Sequence, residues 1–210
     1  YRLNTNFHEV KLDMGRCFGY AYGHKENGAV FSHMAVMYAY ALYRRGFAAE
    51  GWHVLQSLYN LSVDFEAARI YPGIPEYFND KGRGMYHYLT GSASWMLLAM
   101  VSEVYGVRGS MGDLVLEPKL MAGQFDGNGC ALVQTMFAGR KLQVAYRNAA
   151  RLDYGQYGIG AVSVDGVPQQ YRADGNLAVI DREELLNLTG DVVHRIDVEL
   201  DPTGGAKEER

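Results

Sequence analysis

The sequence predicts a mixed α and β chain: a helical first half that is one slice of a larger helical array, followed by a β-sandwich. Three observations carry this. The run Ala29 to Arg45 is apolar almost all round, and a helix of that kind must be buried on most of its faces. Only three helices can be read in the first half, too few to cover such surfaces among themselves. Beyond about residue 112 the helical period gives way to short apolar runs separated by turn residues.

Taken in order, the first helix is Ala29 to Arg45, which contains no Pro or Gly and is stopped by Gly46. The second runs from Phe47 to about Leu61. Its Trp52, Leu55 and Tyr59 share a stripe, while Glu50, Gln56 and Asn60 lie elsewhere, so one face meets solvent. A loop rich in Pro, Gly and Tyr follows, Tyr71-Pro72-Gly73-Ile74-Pro75-Glu76-Tyr77, and continues through Lys81-Gly82-Arg83-Gly84. The third helix spans Ser92 to Tyr105, with Gly106 as its stop. The predicted strands are Leu114 to Leu116, Cys130 to Phe137, Lys141 to Tyr146, Gly160 to Val164 and Val192 to Leu200. Ala138-Gly139-Arg140 and Asp165-Gly166 are hairpin signals. The tail from Asp201 reads as disordered. The division is therefore 1–112 helical, 113–200 sandwich and 201–210 tail.

Composition narrows the function. With 20 basic and 24 acidic residues the net charge is −4, so no basic field is available for nucleic acid or an anionic membrane. Cys17 and Cys130 are the only cysteines, which excludes a disulfide framework and a Cys-based zinc site. The histidines show no metal spacing, so no metal site is expected. No apolar run reaches the roughly 18 residues of a membrane span. Tyr outnumbers Phe by 16 to 8, a bias that suits wet, concave sites such as sugar clefts. The chain opens on Tyr1 rather than Met. Together with the uncovered helices, that makes it the expected C-terminal piece of a longer enzyme. Walker, nucleophile-elbow and dinucleotide motifs are absent.

Few residues stand out as chemistry. Thr90-Gly91-Ser92 opens the third helix, with Thr90 or Ser92 as N-cap and Gly91 allowing close approach to the backbone. The free amides and dipole there favour an anion, although an ordinary capped helix start has the same appearance. His33 sits one turn into the apolar first helix, where it is either a ligand or a hydrogen-bonded core residue. Glu26, in a Gly-flanked loop, and Glu76, between Pro75 and Tyr77, can each bind sugar hydroxyls or be solvated surface charges. His87, between Tyr86 and Tyr88, is a cleft candidate.

Lys25-Glu26-Asn27-Gly28-Ala29-Val30-Phe31-Ser32-His33 resembles the KENG–x–x–F–x–H segment of glycoside hydrolase family 94, a family of inverting phosphorylases. Gly82-Arg83-Gly84-Met85-Tyr86-His87-Tyr88-Leu89-Thr90-Gly91-Ser92-Ala93-Ser94-Trp95 resembles its second signature. The match is continuous to about Tyr146 and loose beyond. It implies the end of an (α/α)6 catalytic barrel followed by a jelly-roll-like sandwich. It further implies phosphate-binding roles for His33, Thr90 and Gly91 and a sugar-binding role for Glu26. The family's general acid is an Asp far upstream of the KENG segment, so this chain would be inactive alone.

The implied reaction is phosphorolysis of a β-linked glucooligosaccharide to α-glucose 1-phosphate. The partners are β-glucan and inorganic phosphate as co-substrate, with no cofactor, a cytoplasmic location and a homodimer as an allowed assembly. Ser32 to Ala39 and Tyr71 to Tyr77 look most like β-1,2-oligoglucan phosphorylases. The alternatives are a relative acting on β-1,4 or β-1,3 glucosides, a hydrolase on the same barrel using Glu26 or Glu76 as base, and a non-catalytic carbohydrate-binding module.

Overall fold

A computed structural model describes residues 1–15, 19–71, 73–87, 91–174 and 176–203. The chain forms two compact units, Tyr1–Ala99 and Met100–Arg210.

In the first unit, helix α1 (Ser32–Arg44) packs against α2 (Ala48–Val63) and α4 (Gly91–Ala99), and α3 (Phe65–Ala68) is a single turn after α2. Gly46, at φ 81°, ends α1. Its amide bonds to the Tyr43 carbonyl at 3.0 Å, and the Phe47 amide bonds to the Leu42 carbonyl at 2.9 Å. This double closure needs a left-handed residue, which glycine adopts without penalty. Asp64 caps α3 by accepting from the Ala67 amide at 3.1 Å. The core of the unit is Val36, Ala39, Tyr43, Val54, Leu55 and Leu58. The opposite surfaces stay open: Met34, Tyr38, Leu97 and Leu98 are between 46% and 67% exposed. Those side chains keep part of the apolar surface of α1 and α4 exposed.

A small antiparallel sheet joins these helices, formed by β1 (Val30–Phe31), β2 (Tyr77–Phe78) and β3 (Gly84–Met85). It was not anticipated. Its strands are two residues long, too short to carry a period. The turn between β2 and β3 is built on buried Asn79, whose Oδ1 accepts from the amides of Lys81 and Arg83, both at 3.0 Å.

The second unit holds two sheets. One has the order β10-β11-β5-β4, from β4 (Val107–Ser110), β5 (Asp113–Leu116), β10 (Arg172–Asp174) and β11 (Leu177–Ile180). The other has the order β6-β7-β12-β8-β9. Its strands are β6 (Cys130–Phe137), β7 (Arg140–Arg147), β8 (Tyr157–Val164), β9 (Val167–Pro168) and β12 (Val193–Pro202). Leu114, Leu116, Leu142, Tyr146, Tyr157, Ile180, Ile196 and Val198 form its buried core.

Several expectations change here. The unit is not wholly β, because Arg182–Leu186 forms a short helix, α5. One ladder, β7 with β12, is parallel, unlike an all-antiparallel jelly roll. The third helix ends as an α-helix at Ala99 and continues as a π-helical turn, Met100–Val104. The strand predicted to end at Leu200 runs through Asp201 and Pro202, paired with Gly158 and Tyr157. Residues 201–203 are therefore ordered chain rather than tail, and residues 204–210 lie outside the described residues.

Candidate functional site

The first unit brings His33 and Gly91 into direct contact. The sequence places His33 one turn into its helix, but α1 begins at Ser32 because Val30 and Phe31 pair as a strand with Phe78 and Tyr77. His33 is therefore the second residue of α1. Gly91 is the first residue of α4. A Cβ added to Gly91 would lie 2.9 Å from His33 Cε1 and 3.3 Å from both ring nitrogens. Only a residue without Cβ lets the ring lie against the backbone there. Two helix starts thus come together here, each with the positive end of its dipole, although the first amide of α1, that of Ser32, is taken by the Glu76 carbonyl at 2.9 Å. The His33 Nε2 is buried and has no hydrogen-bond partner among the described residues. A buried, unsatisfied ring nitrogen between two helix starts is what a bound anion would satisfy.

Thr90, the third expected phosphate residue, lies outside the described residues, as does Tyr88. Ser92 is not the cap. It lies inside the first turn of α4, fully buried, with its hydroxyl 3.5 Å from the Pro75 carbonyl. His87 is exposed.

Glu26 is half-buried in a tight loop closed by the His24–Asn27 bridge. The Gly23 amide bonds to the Asn27 carbonyl at 2.7 Å, and the Asn27 side chain donates to the Tyr20 carbonyl at 2.7 Å. Next to Glu26, Lys25 is held at φ 50°. Its ammonium sits 3.0 Å from Glu76 Oε2 and 3.6 Å above the Tyr86 ring centre. Burial pulls the Lys25 pKa down, but the hydrogen bond and charge of Glu76 outweigh it and leave the group above its ordinary value. Glu76 is therefore neither a solvated surface charge nor a free base. Its carbonyl also accepts from the Ser32 amide at 2.9 Å. One residue thus ties the Glu26 loop to the start of α1. Sequence reading could not find this Lys25–Glu76 link, because the partners are 51 residues apart.

Aromatic rings surround this assembly. Tyr77 stacks on Phe31, with centroids 6.0 Å apart and planes at 19°, and its hydroxyl lies 3.4 Å from His24 Nδ1. Phe31 and Tyr77 are register partners across β1 and β2, which fixes their approach. The arrangement combines an anion-receptive corner with an aromatic and charged loop, both within one unit. Among the described residues, no group of three His, Cys, Asp or Glu could hold a metal ion. Among the same residues, no helix is long and apolar enough to cross a membrane.

Residues 3–106 match the model of the glycosyl hydrolase 94 superfamily catalytic domain. This stretch, which takes in the first unit and the start of the second, is thus similar in sequence to the catalytic domain of that superfamily. The chain is also similar to the cyclic beta-(1,2)-glucan synthase NdvB of Rhizobium meliloti (strain 1021), with 30% identity over 121 residues. That alignment takes in 53% of this chain and 4% of the relative, so the chain spans a small fraction of the relative's length.

Proposed function

We propose that this chain supplies the phosphate-binding corner and one wall of the sugar site of an inverting glycoside phosphorylase. The observation that carries the proposal is the His33–Gly91 contact at two converging helix starts, with a buried ring nitrogen left unsatisfied. An inverting hydrolase needs one carboxylic acid to protonate the leaving oxygen and a second carboxylate to activate water. Phosphate is already an anionic nucleophile and needs no such base. It needs donors that hold it below the anomeric carbon, and a His with helix-start amides provides them.

In the proposed reaction a phosphate oxygen attacks the anomeric carbon as the glycosidic C–O bond breaks. The leaving oxygen takes a proton from a general acid outside these 210 residues. The products are α-glucose 1-phosphate and a shortened glucan. Thr90 joins His33 and Gly91 on the phosphate, and Glu26 contacts the sugar. No cofactor takes part.

For the substrate we favour a β-1,2-linked glucooligosaccharide. Its support is the resemblance of the Ser32–Ala39 and Tyr71–Tyr77 segments, together with the β-(1,2)-glucan in the name of the relative. A carbohydrate-binding module would have no use for the anion corner. A hydrolase would need a free base, and of its two candidates, Glu26 and Glu76, the second is engaged by Lys25.

The test is product analysis of the complete enzyme on β-1,2-, β-1,3- and β-1,4-linked glucooligosaccharides, with and without inorganic phosphate. Phosphate-dependent release of α-glucose 1-phosphate from the β-1,2 series is expected. Equal cleavage without phosphate, giving free glucose, would overturn the proposal.

A further inference from the structure

The His33 imidazole occupies a defined place although neither of its nitrogens is hydrogen-bonded among the described residues. A histidine ring is ordinarily oriented by a bond from one nitrogen, which also fixes its tautomer. Among the described residues that device is missing, and packing orients the ring. One side of the ring lies against Gly91. Another faces Trp95, with ring centroids 6.1 Å apart and planes at 46°. Trp95 is in turn braced edge-on by Tyr40, at 5.4 Å and 84°.

Helical spacing explains why these four meet. Gly91 and Trp95 are four apart on α4 and so share a face. His33 and Tyr40 are seven apart on α1, two turns along one face. The α1–α4 packing brings these two faces together. Rigid aromatic walls can hold a ring at little entropic cost, because an indole has only two side-chain torsions.

We infer that Trp95, braced by Tyr40, is a positioning residue that fixes the His33 ring and aims Nε2 at the phosphate. The inference rests on the phosphate reading above for its target but not for the ordering of the ring. Trp95 does not itself touch phosphate. It determines how much of the His33 population is ready to bind.

Two measurements test this and separate its failure from that of the phosphate reading. The first is the His33 imidazole NMR signal of the complete enzyme without phosphate. One sharp set is expected in the parent and in Trp95→Phe, and broadened or doubled signals in Trp95→Leu. The second is phosphorolysis by the complete enzyme. Trp95→Leu should raise the phosphate KM about tenfold, the upper end of what one aromatic pair contributes, with kcat and sugar KM little changed. Trp95→Phe should restore it. In a His33→Ala background Trp95→Leu should add nothing, because the two residues act as one unit.

Tyr40→Leu, which removes only the brace, is the second variant in case Trp95→Leu does not fold, and it should shift both measurements the same way. Unchanged His33 signals in the leucine variants, or an equal rise in phosphate KM with and without His33, would overturn the positioning role. Phosphate-independent cleavage by the parent would instead overturn the phosphate reading and leave the NMR result standing.

Discussion

The His33 ring lies against the backbone of Gly91, so closely that a single added carbon would meet it at 2.9 Å. This contact predicts the outcome of Gly91→Ala. In an ordinary first turn that change is neutral or slightly stabilising, because alanine restricts the unfolded chain. Here the methyl group must push the ring aside, at about 0.5–1.5 kcal/mol if the ring leaves its rotamer well. The expected result is a thermal midpoint close to the parent's, with phosphate binding weakened about tenfold. Melting curves and phosphate kinetics on one preparation check both halves.

Glu76→Gln should loosen the loop that carries Glu26 while leaving the helices in place. The substitution removes the charge that anchors the Lys25 ammonium, at a residue with a left-handed backbone. Hydrogen exchange at the Gly23 and Asn27 amides, which close the loop, should speed up by about tenfold, as expected for losing roughly 1.5 kcal/mol of charge-assisted bonding. The Gly46 and Phe47 amides at the end of α1 should be unaffected.

Much of this site was legible in the sequence, and what was missed has physical reasons. His33, Gly91 and Glu26 stand in ordered signatures, but the apolar run of the first helix is buried on one face only, with Met34, Met37 and Tyr38 exposed on the other. The start of that helix was misplaced by three residues, because Val30 and Phe31 suit either a helix or a strand and only pairing with Tyr77 and Phe78 decides. That shift moves His33 from the second turn to the first, where its chemistry differs. The Lys25–Glu76 bond and the Trp95–His33 contact join distant segments and leave no local signal. In the second unit, β6 and β7 were readable from their period and hairpin turn. The parallel β7–β12 ladder depends on chain routing and was not.

The second unit should lose stability with rising pH through His194. Its side chain is buried between two acceptors, with Nδ1 2.6 Å from Asp165 Oδ2 and Nε2 2.8 Å from the Thr189 carbonyl. Satisfying both requires the doubly protonated ring. The Asp165 hydrogen bond, then the Thr189 carbonyl, raise the His194 pKa above 6.5, against opposition from burial and Arg140. Asp165 is lowered below 3.8, chiefly by the same hydrogen bond. The sign follows from linkage. The His194 contribution is complete below pH 6.5 and is lost as pH rises through its higher folded value. The Asp165 contribution is complete above pH 3.8 and is lost as pH falls through its lower folded value. Thermal midpoints should therefore decline above pH 6.5 in the parent relative to His194→Gln, which should be less stable at pH 5 by about 1.5 kcal/mol and flat above. Parallel curves for the two proteins would refute the assignment.

Tyr157→Phe should be costly for a single lost oxygen. The buried hydroxyl accepts from the Leu120 amide at 2.8 Å and lies 2.9 Å and 3.2 Å from the Leu120 and Pro118 carbonyls. Phenylalanine keeps the packing and strands a buried amide, at about 1–3 kcal/mol. For a chain of this size that corresponds to a fall of roughly 2–12 °C in the unfolding midpoint, measurable by calorimetry. An unchanged midpoint would mean that the Leu120 amide finds another acceptor.

If His33 binds the attacking phosphate, the phosphate KM of His33→Ala in the complete enzyme must show it. Losing one charge-assisted hydrogen bond at roughly 1.5–3 kcal/mol predicts a rise of about ten- to a hundredfold in that constant, with the sugar KM nearly unchanged. The reverse reaction from α-glucose 1-phosphate should weaken in parallel, since both directions share one transition state. A normal phosphate KM accompanied only by a lower thermal midpoint would contradict the claim and make His33 a packing residue.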